Sequence, residues 1–311
     1  MTPDGPVKFA IALPQTFSRP QMDVGLLRSF LGRVEGLGYD SIWVQEQMVG
    51  AAGSLEPVTL LAYAAALTRT VRLGTAVLLT PLRSPVPLAK SLATLDQLSS
   101  GRLIAGVGLG ANTRIYPAFG YTPERRVRRF VEGLELLKRL WTEERVTFAG
   151  EFWKLENAPV MPKPVQKPHP PLWFGARHPE ALRRAVALGD GFIGAGSAST
   201  AEFREQVGHV HRFLREAKRD PASFPVAKRV YLLVDPDTSR ARERLREWFG
   251  WFYGQPALAD RVPVIGGVAE CIEGLREVRA AGAGLILLNP VFDEAEVVER
   301  YARELVPEVA R

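Results

Sequence analysis

Cysteine and histidine are scarce in this 311-residue sequence, and their scarcity excludes several kinds of site. The one cysteine, Cys271, cannot form an intramolecular disulfide, and its amphipathic surroundings predict a small buried side chain rather than a reactive thiol. Of the four histidines, His209 and His211 lie two positions apart on a predicted helix and therefore point to different faces. We therefore predict that the protein has no metal site, since catalytic metals need several histidines or acids at one place.

Long hydrophobic runs are absent as well. No apolar stretch approaches the roughly 18 residues that a membrane helix requires. The first residues also lack a charged segment followed by a long apolar run. We therefore expect a cytoplasmic protein with no membrane partner. The net charge of +6 comes from scattered Lys and Arg, and the densest cluster, residues 125–129, has no interleaved aromatics. This pattern is typical of a solvated helix face, so we expect no nucleic-acid partner.

Short apolar runs alternate with longer amphipathic segments along the chain, which predicts parallel strands joined by crossover helices. We find eight such strands, each followed by a helix. This favours an α/β fold of the closed (β/α)8 TIM-barrel type, because an open sheet would leave two edges that the sequence does not obviously protect. The predicted strands are Val7–Leu13, Ser41–Val44, Val71–Leu79, Leu103–Gly108, Leu172–Phe174, Gly191–Ile193, Lys228–Val234 and Leu285–Leu288.

We expect residues 1–311 to form one domain, with a proline-rich insertion at about 142–171. Val146–Phe148 and Phe152–Leu155 predict a small hairpin around Ala149 and Gly150. The following PVMPKPVQKPHPP segment is too rich in proline for regular structure. Long loops in compact barrels are usually functional, so we predict a lid or a substrate wall here. We reject a domain linker because the alternation of strands and helices resumes at once.

The carboxyl ends of barrel strands carry the active site, so the residues that follow each strand are the candidates. Only Glu46 is a clear carboxylate there, whereas a glycosidase needs two. No GxSxG nucleophile elbow is present, and the GVGLG run at 106–110 lacks the spacing of a dinucleotide fingerprint. What remains is chemistry performed by a bound cofactor. The glycine-rich ends of the fifth and sixth strands lie before helices and could hold a phosphate, although such glycines also occur simply to let chains pass.

Three long segments resemble the luciferase-like monooxygenase superfamily. They are GYDSIWVQEQ, VRLGTAVLLTPLRSPVPLAKSLATLDQLSSGRLIAGVGLG and PLWFGARHPEALRRAVALGDGF. The likeness runs from Val7 to about Gly196, with LDQLSSGRL as its most diagnostic part, and continues more weakly in IGGVAECIEGLREVRAAGAGLILLNP. It implies a (β/α)8 barrel that binds a flavin-type ring at the carboxyl ends of its strands.

The resemblance also implies cofactor-binding positions. A bulge with a cis peptide between Ala76 and Val77, at the end of the third strand, would support the ring. The loop after the fourth strand would contribute Gly108 and Asn112. The cofactor phosphate would lie on the loops after the fifth and sixth strands, which correspond to Gly175, Ala176, Arg177, Gly194, Ala195 and Gly196.

The chain departs from the family after the second strand. Members often carry Glu-His or Asp-His there, whereas this chain has Glu46 and Gln47. Gln47 cannot exchange a proton near pH 7, so a mechanism that relies on the histidine is in doubt. His178 is the nearest substitute, although a solvent-facing role suits it equally. We take Glu46, Gln47 and His178 as the candidate catalytic residues.

Our preferred hypothesis is an oxidoreductase that transfers a hydride between the deazaflavin coenzyme F420 (8-hydroxy-5-deazaflavin) and an unknown small-molecule substrate. The LGTAV strand end favours this branch by resemblance. One alternative keeps the fold and uses reduced FMN with oxygen as a monooxygenase. Another is a flavin-binding protein without catalysis. A homodimer is kept open as the assembly.

Overall fold

Eight parallel strands form a closed barrel in the computed structural model, which describes residues 5–17, 21–50 and 52–310. Each strand pairs in parallel with two neighbours, and the barrel closes because the first strand pairs with the eighth and the fourth with the fifth. The predicted TIM barrel is therefore confirmed. Its strands are β1 Lys8–Ala12, β2 Ser41–Val44, β3 Arg72–Thr75, β4 Leu103–Gly108, β5 Leu172–Gly175, β6 Gly191–Gly194, β7 Val226–Val234 and β8 Leu285–Pro290.

Helices surround the barrel and bury their apolar faces against the outside of the strands. Gly38 ends the short helical turn that follows the first helix and adopts a left-handed conformation with φ of 78°, which glycine favours. The helices are α1 Val24–Val34, α2 Pro57–Leu67, α3 Pro85–Leu98, α4 Arg126–Thr142, α5 Pro179–Leu188, α6 Thr200–Glu216, α7 Thr238–Tyr253, α8 Val268–Ala280, α9 Glu294–Arg300 and α10 Val306–Ala310. None of them in the described part of the chain is long and apolar enough to cross a membrane.

Side chains fill the inside of the barrel. Trp43 of β2 and Trp173 of β5 face each other there, with ring centroids 5.4 Å apart. Small and branched residues from the other strands complete this layer, which also contacts Ala76 and Val77. The barrel is therefore a packed core, and only its mouth has room for a ligand.

Short strands outside the barrel were partly missed by the sequence analysis. The predicted hairpin is present, formed by Arg145–Ala149 and Lys154–Pro159. Val264–Gly266, which is not among the predicted strands, pairs in parallel with β7. Thr16–Phe17 and Gly53–Ser54 form a further small ladder between the loops after β1 and β2. Cys271 is fully buried on α8, as predicted, and burial raises the pKa of its thiol to about 12.

The proline-rich segment at 160–171 is not a lid or a substrate wall, and this prediction was wrong. Gln166 donates its side-chain amide to Asp96 at the end of α3 and to the Leu103 carbonyl at the start of β4. Lys163 donates to the Leu140 carbonyl near the end of α4. These partners lie at the amino-terminal end of the barrel, opposite the mouth where the strands end. The segment therefore seals the bottom of the barrel.

Candidate active site

A cleft of about 500 Å³, open solvent included, lies at the carboxyl ends of the barrel strands. Its walls come from the ends of β1, β2, β3, β7 and β8, and from α7 and α9. Its lining combines aromatic and aliphatic side chains with a few polar ones, as small-molecule sites usually do. The lining residues are Ala12, Leu13, Gln15, Thr16, Trp43, Val44, Gln45, Ala76, Arg229, Trp248, Leu287, Asn289, Pro290, Val291 and Glu294.

The end of the third strand has the predicted bulge. The Ala76–Val77 peptide is cis, which confirms the prediction. Leu73 pairs with Leu103, but Leu78 pairs with Val107, so the third strand holds one residue more than β4 between these pairs. Such an extra residue defines a β-bulge. The bulge faces the cleft, since Ala76 forms part of the lining.

The Thr75 hydroxyl stabilises the backbone beside the bulge. It donates to the Gly106 carbonyl and accepts from the Gly106 amide, both at 2.8 Å. These side-chain bonds satisfy two buried backbone groups of β4 at the point where the third strand leaves the ladder. The bulge is therefore built into the sheet rather than added as a loose loop.

Two of the predicted cofactor-binding glycines lie beside the bulge. A Cβ at Gly108 would lie 2.7 Å from Val77, and a Cβ at Gly175 would lie 2.9 Å from the same side chain. Both positions therefore require glycine so that Val77 can pack across the ends of β4 and β5. The structure thus gives these two glycines a packing reason, and their contact with a cofactor stays a prediction.

Glu46 is engaged on both of its oxygens. Its buried carboxylate accepts from the Leu79 amide just after the bulge and from the Arg83 guanidinium. Arg83 also pairs with Glu56 at 2.7 Å. Burial lowers the pKa of Arg83, but the carboxylates of Glu46 and Glu56 outweigh this and raise it. Glu46 therefore holds the bulge in place through its partners, and its catalytic role stays a prediction.

None of the three predicted catalytic residues, Glu46, Gln47 and His178, lines the cleft. The Gln47 amide donates to the Phe252 carbonyl at 3.4 Å, and its buried oxygen has no partner among the described residues. His178 is exposed at the N-cap of α5. The structure therefore does not bring Glu46, Gln47 and His178 together into one catalytic group, and their roles stay predictions.

The loops after β5 and β6 come together at Arg177, whose guanidinium donates to the hydroxyl of Ser197. At the start of α5, the N-cap residue His178 makes no side-chain capping bond. The start of α6 differs, because Ser199 and Glu202 form a complete capping box there. A helix start without a side-chain cap, next to an exposed arginine, suits an anion such as a phosphate.

A buried lysine that the sequence analysis did not single out lies beneath the loops after β5 and β6. Lys228 of β7 donates to the carbonyls of Ala195, Ala198 and Arg229 at 2.6–2.8 Å. Burial, followed by the charges of Arg229 and Arg177, lowers the pKa of Lys228 to about 7. The three carbonyl acceptors favour its ammonium form. Lys228 therefore fixes the shape of the loop that follows β6.

The remaining predicted cofactor positions border these loops. Gly196 needs to be glycine because a Cβ there would lie 2.9 Å from the Tyr231 ring. Gly194 is packed in the same way, with Lys228 3.1 Å from its Cβ position. Ala176 is buried. Asn112 is exposed and accepts a hydrogen bond from the Arg114 amide, so it caps a short helical turn. Contact of these residues with a cofactor stays a prediction.

Two charged residues of the cleft were missed. Arg229 is buried in the interior layer of β7, and Glu294 begins α9 at the rim. Burial raises the pKa of the Glu294 carboxyl, an effect that Asp293 reinforces. The sequence held a signal for the first of them, since VAKRVYLLV places two cations inside an otherwise apolar strand. Nothing in the sequence marked Glu294, which reads as an ordinary first-turn acid.

Comparison with known proteins gives consistent results. A family model described as luciferase-like monooxygenase matches residues 8–283. The F420-dependent glucose-6-phosphate dehydrogenase of Kineococcus radiotolerans is 34% identical over 242 residues, which cover 74% of this chain and 70% of that protein. An F420-dependent secondary alcohol dehydrogenase, solved with an F420-acetone adduct, has the same fold with a TM-score of 0.85 at 22% identity, covering 98% of this chain and 99% of that one. The monooxygenase RslO1 from Streptomyces bottropensis gives a TM-score of 0.84 at 26% identity, covering 96% and 99%.

Proposed function

Because the luciferase-like monooxygenase model matches most of its length, the chain belongs to that family, and we propose that it transfers a hydride between coenzyme F420 and a small organic substrate. The observation that carries this proposal is the bulge at Ala76, which forms a wall of the cleft at the barrel mouth. The name of the Kineococcus relative supports F420 over FMN. FMN with oxygen is the second candidate, because the family's own description is that of a monooxygenase.

The residues at the barrel mouth fit such a cofactor. Arg177 and the start of α5 offer positive charge and donors to a phosphate. Ala76 presents a small side chain to the cleft, which leaves space for a flat ring against the bulge. When bound, coenzyme F420 would supply a ring carbon that accepts or donates a hydride. The protein would supply binding, orientation and exclusion of water.

A proton has to move together with the hydride when an alcohol and a carbonyl interconvert. We assign this proton to Glu294, because its carboxyl lines the cleft and burial raises its pKa. A carboxyl with a raised pKa releases and takes up a proton closer to neutral pH than an ordinary one. The polar neighbours Gln15 and Asn289 are already hydrogen-bonded to the backbone and serve to position the walls of the cleft.

Titration of the purified protein with F420 and with FMN, followed by ring fluorescence, tests the choice of cofactor. We expect tighter binding of F420. Equal or tighter binding of FMN would reverse the order of the two candidates. Turnover separates an enzyme from a binding protein: reduction of bound F420 by members of a panel of alcohols and sugar phosphates supports the proposal. Tight F420 binding with no turnover of any donor or acceptor would favour the non-catalytic alternative.

A further inference from the structure

Three cations are buried among the residues that the structure describes, and they differ in how they are satisfied. Arg129 donates to the Pro81 carbonyl at 3.0 Å, and its guanidinium lies 3.5 Å from the Tyr121 ring centroid. Lys228 donates to three carbonyls. The three donors of Lys228 are therefore all used inside the protein, and the charge of Arg129 is favoured by the carboxylate of Glu132.

Arg229 is different. It is only 7% exposed, and its Nε donates to Asn289 at 2.7 Å. Its guanidinium lies 5.1 Å from the Tyr231 ring centroid. Within the described chain it has no carboxylate partner and no further hydrogen bond from its two terminal nitrogens. A buried charge without a counterion is costly to stability, so such a residue is retained where a ligand completes it.

The position of Arg229 in the cleft indicates which chemical group the ligand carries. Arg229 lines it, so its guanidinium borders the open space of the cleft. The two terminal nitrogens form a fork of parallel N–H donors, which matches the two oxygens of a carboxylate. The other polar groups nearby offer little more: Gln15 donates to two carbonyls, and the Asn289 amide donates to Pro290.

The rest of the lining combines apolar side chains with the polar Gln15, Thr16, Gln45, Asn289 and Glu294. Trp43, Trp248 and Leu287 form much of its lining, together with other aliphatic side chains. A phosphate dianion needs more donors than one guanidinium provides, whereas a single carboxylate is satisfied by one arginine fork. The cofactor phosphate has its own donors at Arg177 and α5, on the loops after β5 and β6. A carboxylate carried by an organic molecule therefore fits both the charge and the walls.

We propose that Arg229 binds the carboxylate of the substrate, so that the enzyme acts on an organic acid that carries its reacting alcohol or carbonyl elsewhere in the molecule. The proposal rests on the hydride-transfer function for its chemistry, but binding of the acid itself needs no cofactor. Asn289 holds the guanidinium by its Nε and leaves the outer edge free for the ligand. Glu294 lies in the same cleft for the proton at the reacting oxygen.

Calorimetric titration of the cofactor-free protein tests this with phenylacetate and its neutral match, phenylacetamide. We expect the carboxylate to bind at least about tenfold more tightly than the amide, which corresponds to one charge-assisted contact. Arg229→Gln keeps a donor near Asn289 but removes the charge and the fork, so it should abolish the preference. Arg229→Lys should keep part of it. Arg28→Gln, on the exposed surface of α1, is the matched control and should bind both probes as the parent protein does.

The outcomes separate this proposal from the cofactor proposal. Equal binding of the two probes, or a preference that survives in Arg229→Gln, would overturn the carboxylate site. If Arg229→Gln leaves the preference unchanged and instead weakens F420 binding tenfold, Arg229 belongs to the cofactor and the substrate proposal is wrong. A carboxylate preference that depends on Arg229 supports the site even in a protein that fails to bind F420, in which case only the proposed hydride transfer is lost.

Discussion

Among single residues, Arg177 offers the most direct test of the cofactor site. We expect Arg177→Ala to weaken F420 binding about tenfold or more, because a charge-assisted contact contributes about 1.5–3 kcal/mol. Fluorescence titration measures the change, and Arg183→Ala on the outer face of α5 serves as the control. Unchanged affinity in low salt would show that Arg177 is an ordinary surface arginine held by Ser197.

The lowered pKa of Lys228 leads to a prediction about the pH dependence of cofactor binding. Its lowered pKa of about 7 means that the free protein loses this charge as the pH rises through 7. A phosphate bound above it favours the charged form, so cofactor binding takes up a proton above pH 7. Affinity for F420 should therefore fall with rising pH above 7, by up to about tenfold per unit.

Binding measured between pH 6 and 8.5, with calorimetry in two buffers of different ionisation enthalpy, tests this proton uptake. Lys228→Arg keeps its charge at every pH in this range and should not take up the proton. Proton uptake of the same size in Lys228→Arg would assign the effect to another group.

Glu294 should control the pH dependence of turnover. Its pKa is raised, so the limb of the kcat profile that reports this group should lie above the range of an ordinary carboxyl. Alcohol oxidation needs the ionised form and should rise with pH through that limb, whereas carbonyl reduction should fall. In Glu294→Gln we expect the limb to disappear and F420 binding to stay unchanged. An unaltered profile in this variant would remove Glu294 from the proton path.

At the level of elements, the third strand depends on the Thr75 hydroxyl. Thr75→Val keeps the shape of the side chain but leaves the Gly106 amide and carbonyl unpaired in the core. We expect a loss of about 2–4 kcal/mol in the free energy of unfolding and weaker F420 binding. Thr75→Ser retains the hydroxyl and should lose much less in a urea titration. Equal losses in the two variants would mean that the methyl group contributes as much as the hydroxyl and would contradict this prediction.

The same strand shows how far sequence reasoning extends. The run from Val71 to Leu79 is mostly apolar, so its pattern alone predicts an unbroken buried strand. The bulge was predicted only because the surrounding motif resembles a family. The strand also needs the Thr75 bonds to Gly106, and such a pairing between distant residues leaves no local pattern in the sequence. Most barrel strands were predictable for the opposite reason, since burial on both faces gives them a clear apolar run.

Across the whole molecule, the contacts that seal the barrel and the candidate site lie at opposite ends. Asp96, fully buried at the bottom, accepts from the Gln166 amide and side chain. We expect Asp96→Ala to lower the free energy of unfolding by about 2–4 kcal/mol, because buried donors lose their partner. The dissociation constant for F420 at 25 °C should change less than twofold. Glu247→Ala, on the exposed face of α7, is the control for stability. A large loss of cofactor affinity in Asp96→Ala would contradict the separation of stability and binding between the two ends of the barrel.

The separation between the two ends of the barrel also explains which predictions from the sequence were wrong or incomplete. The diagnostic LDQLSSGRL stretch contains Asp96 and Arg102, and Arg102 donates to the carbonyls of Ala65, Thr68, Val71 and Ser99. The most recognisable motif is therefore structural and identifies the barrel rather than its chemistry. The proline-rich segment was misplaced because the prediction overlooked that it follows a helix and precedes a strand, and such connections lie at the amino-terminal end of a barrel. Arg229 and Glu294 were missed because their position in the cleft depends on contacts between distant parts of the chain.

The pairing of β1 with β8 has a consequence for how the protein is made. The cleft is lined by residues from Ala12 to Ala76 and from Arg229 to Glu294, with none from the middle of the chain. A nascent chain emerging from the ribosome therefore carries half of the binding site for most of its synthesis and cannot complete it until the eighth strand has been released. Such long-range closure is slow compared with local helix formation. The barrel closes at this pairing, so we expect the cleft to bind its ligand only after the eighth strand has been released.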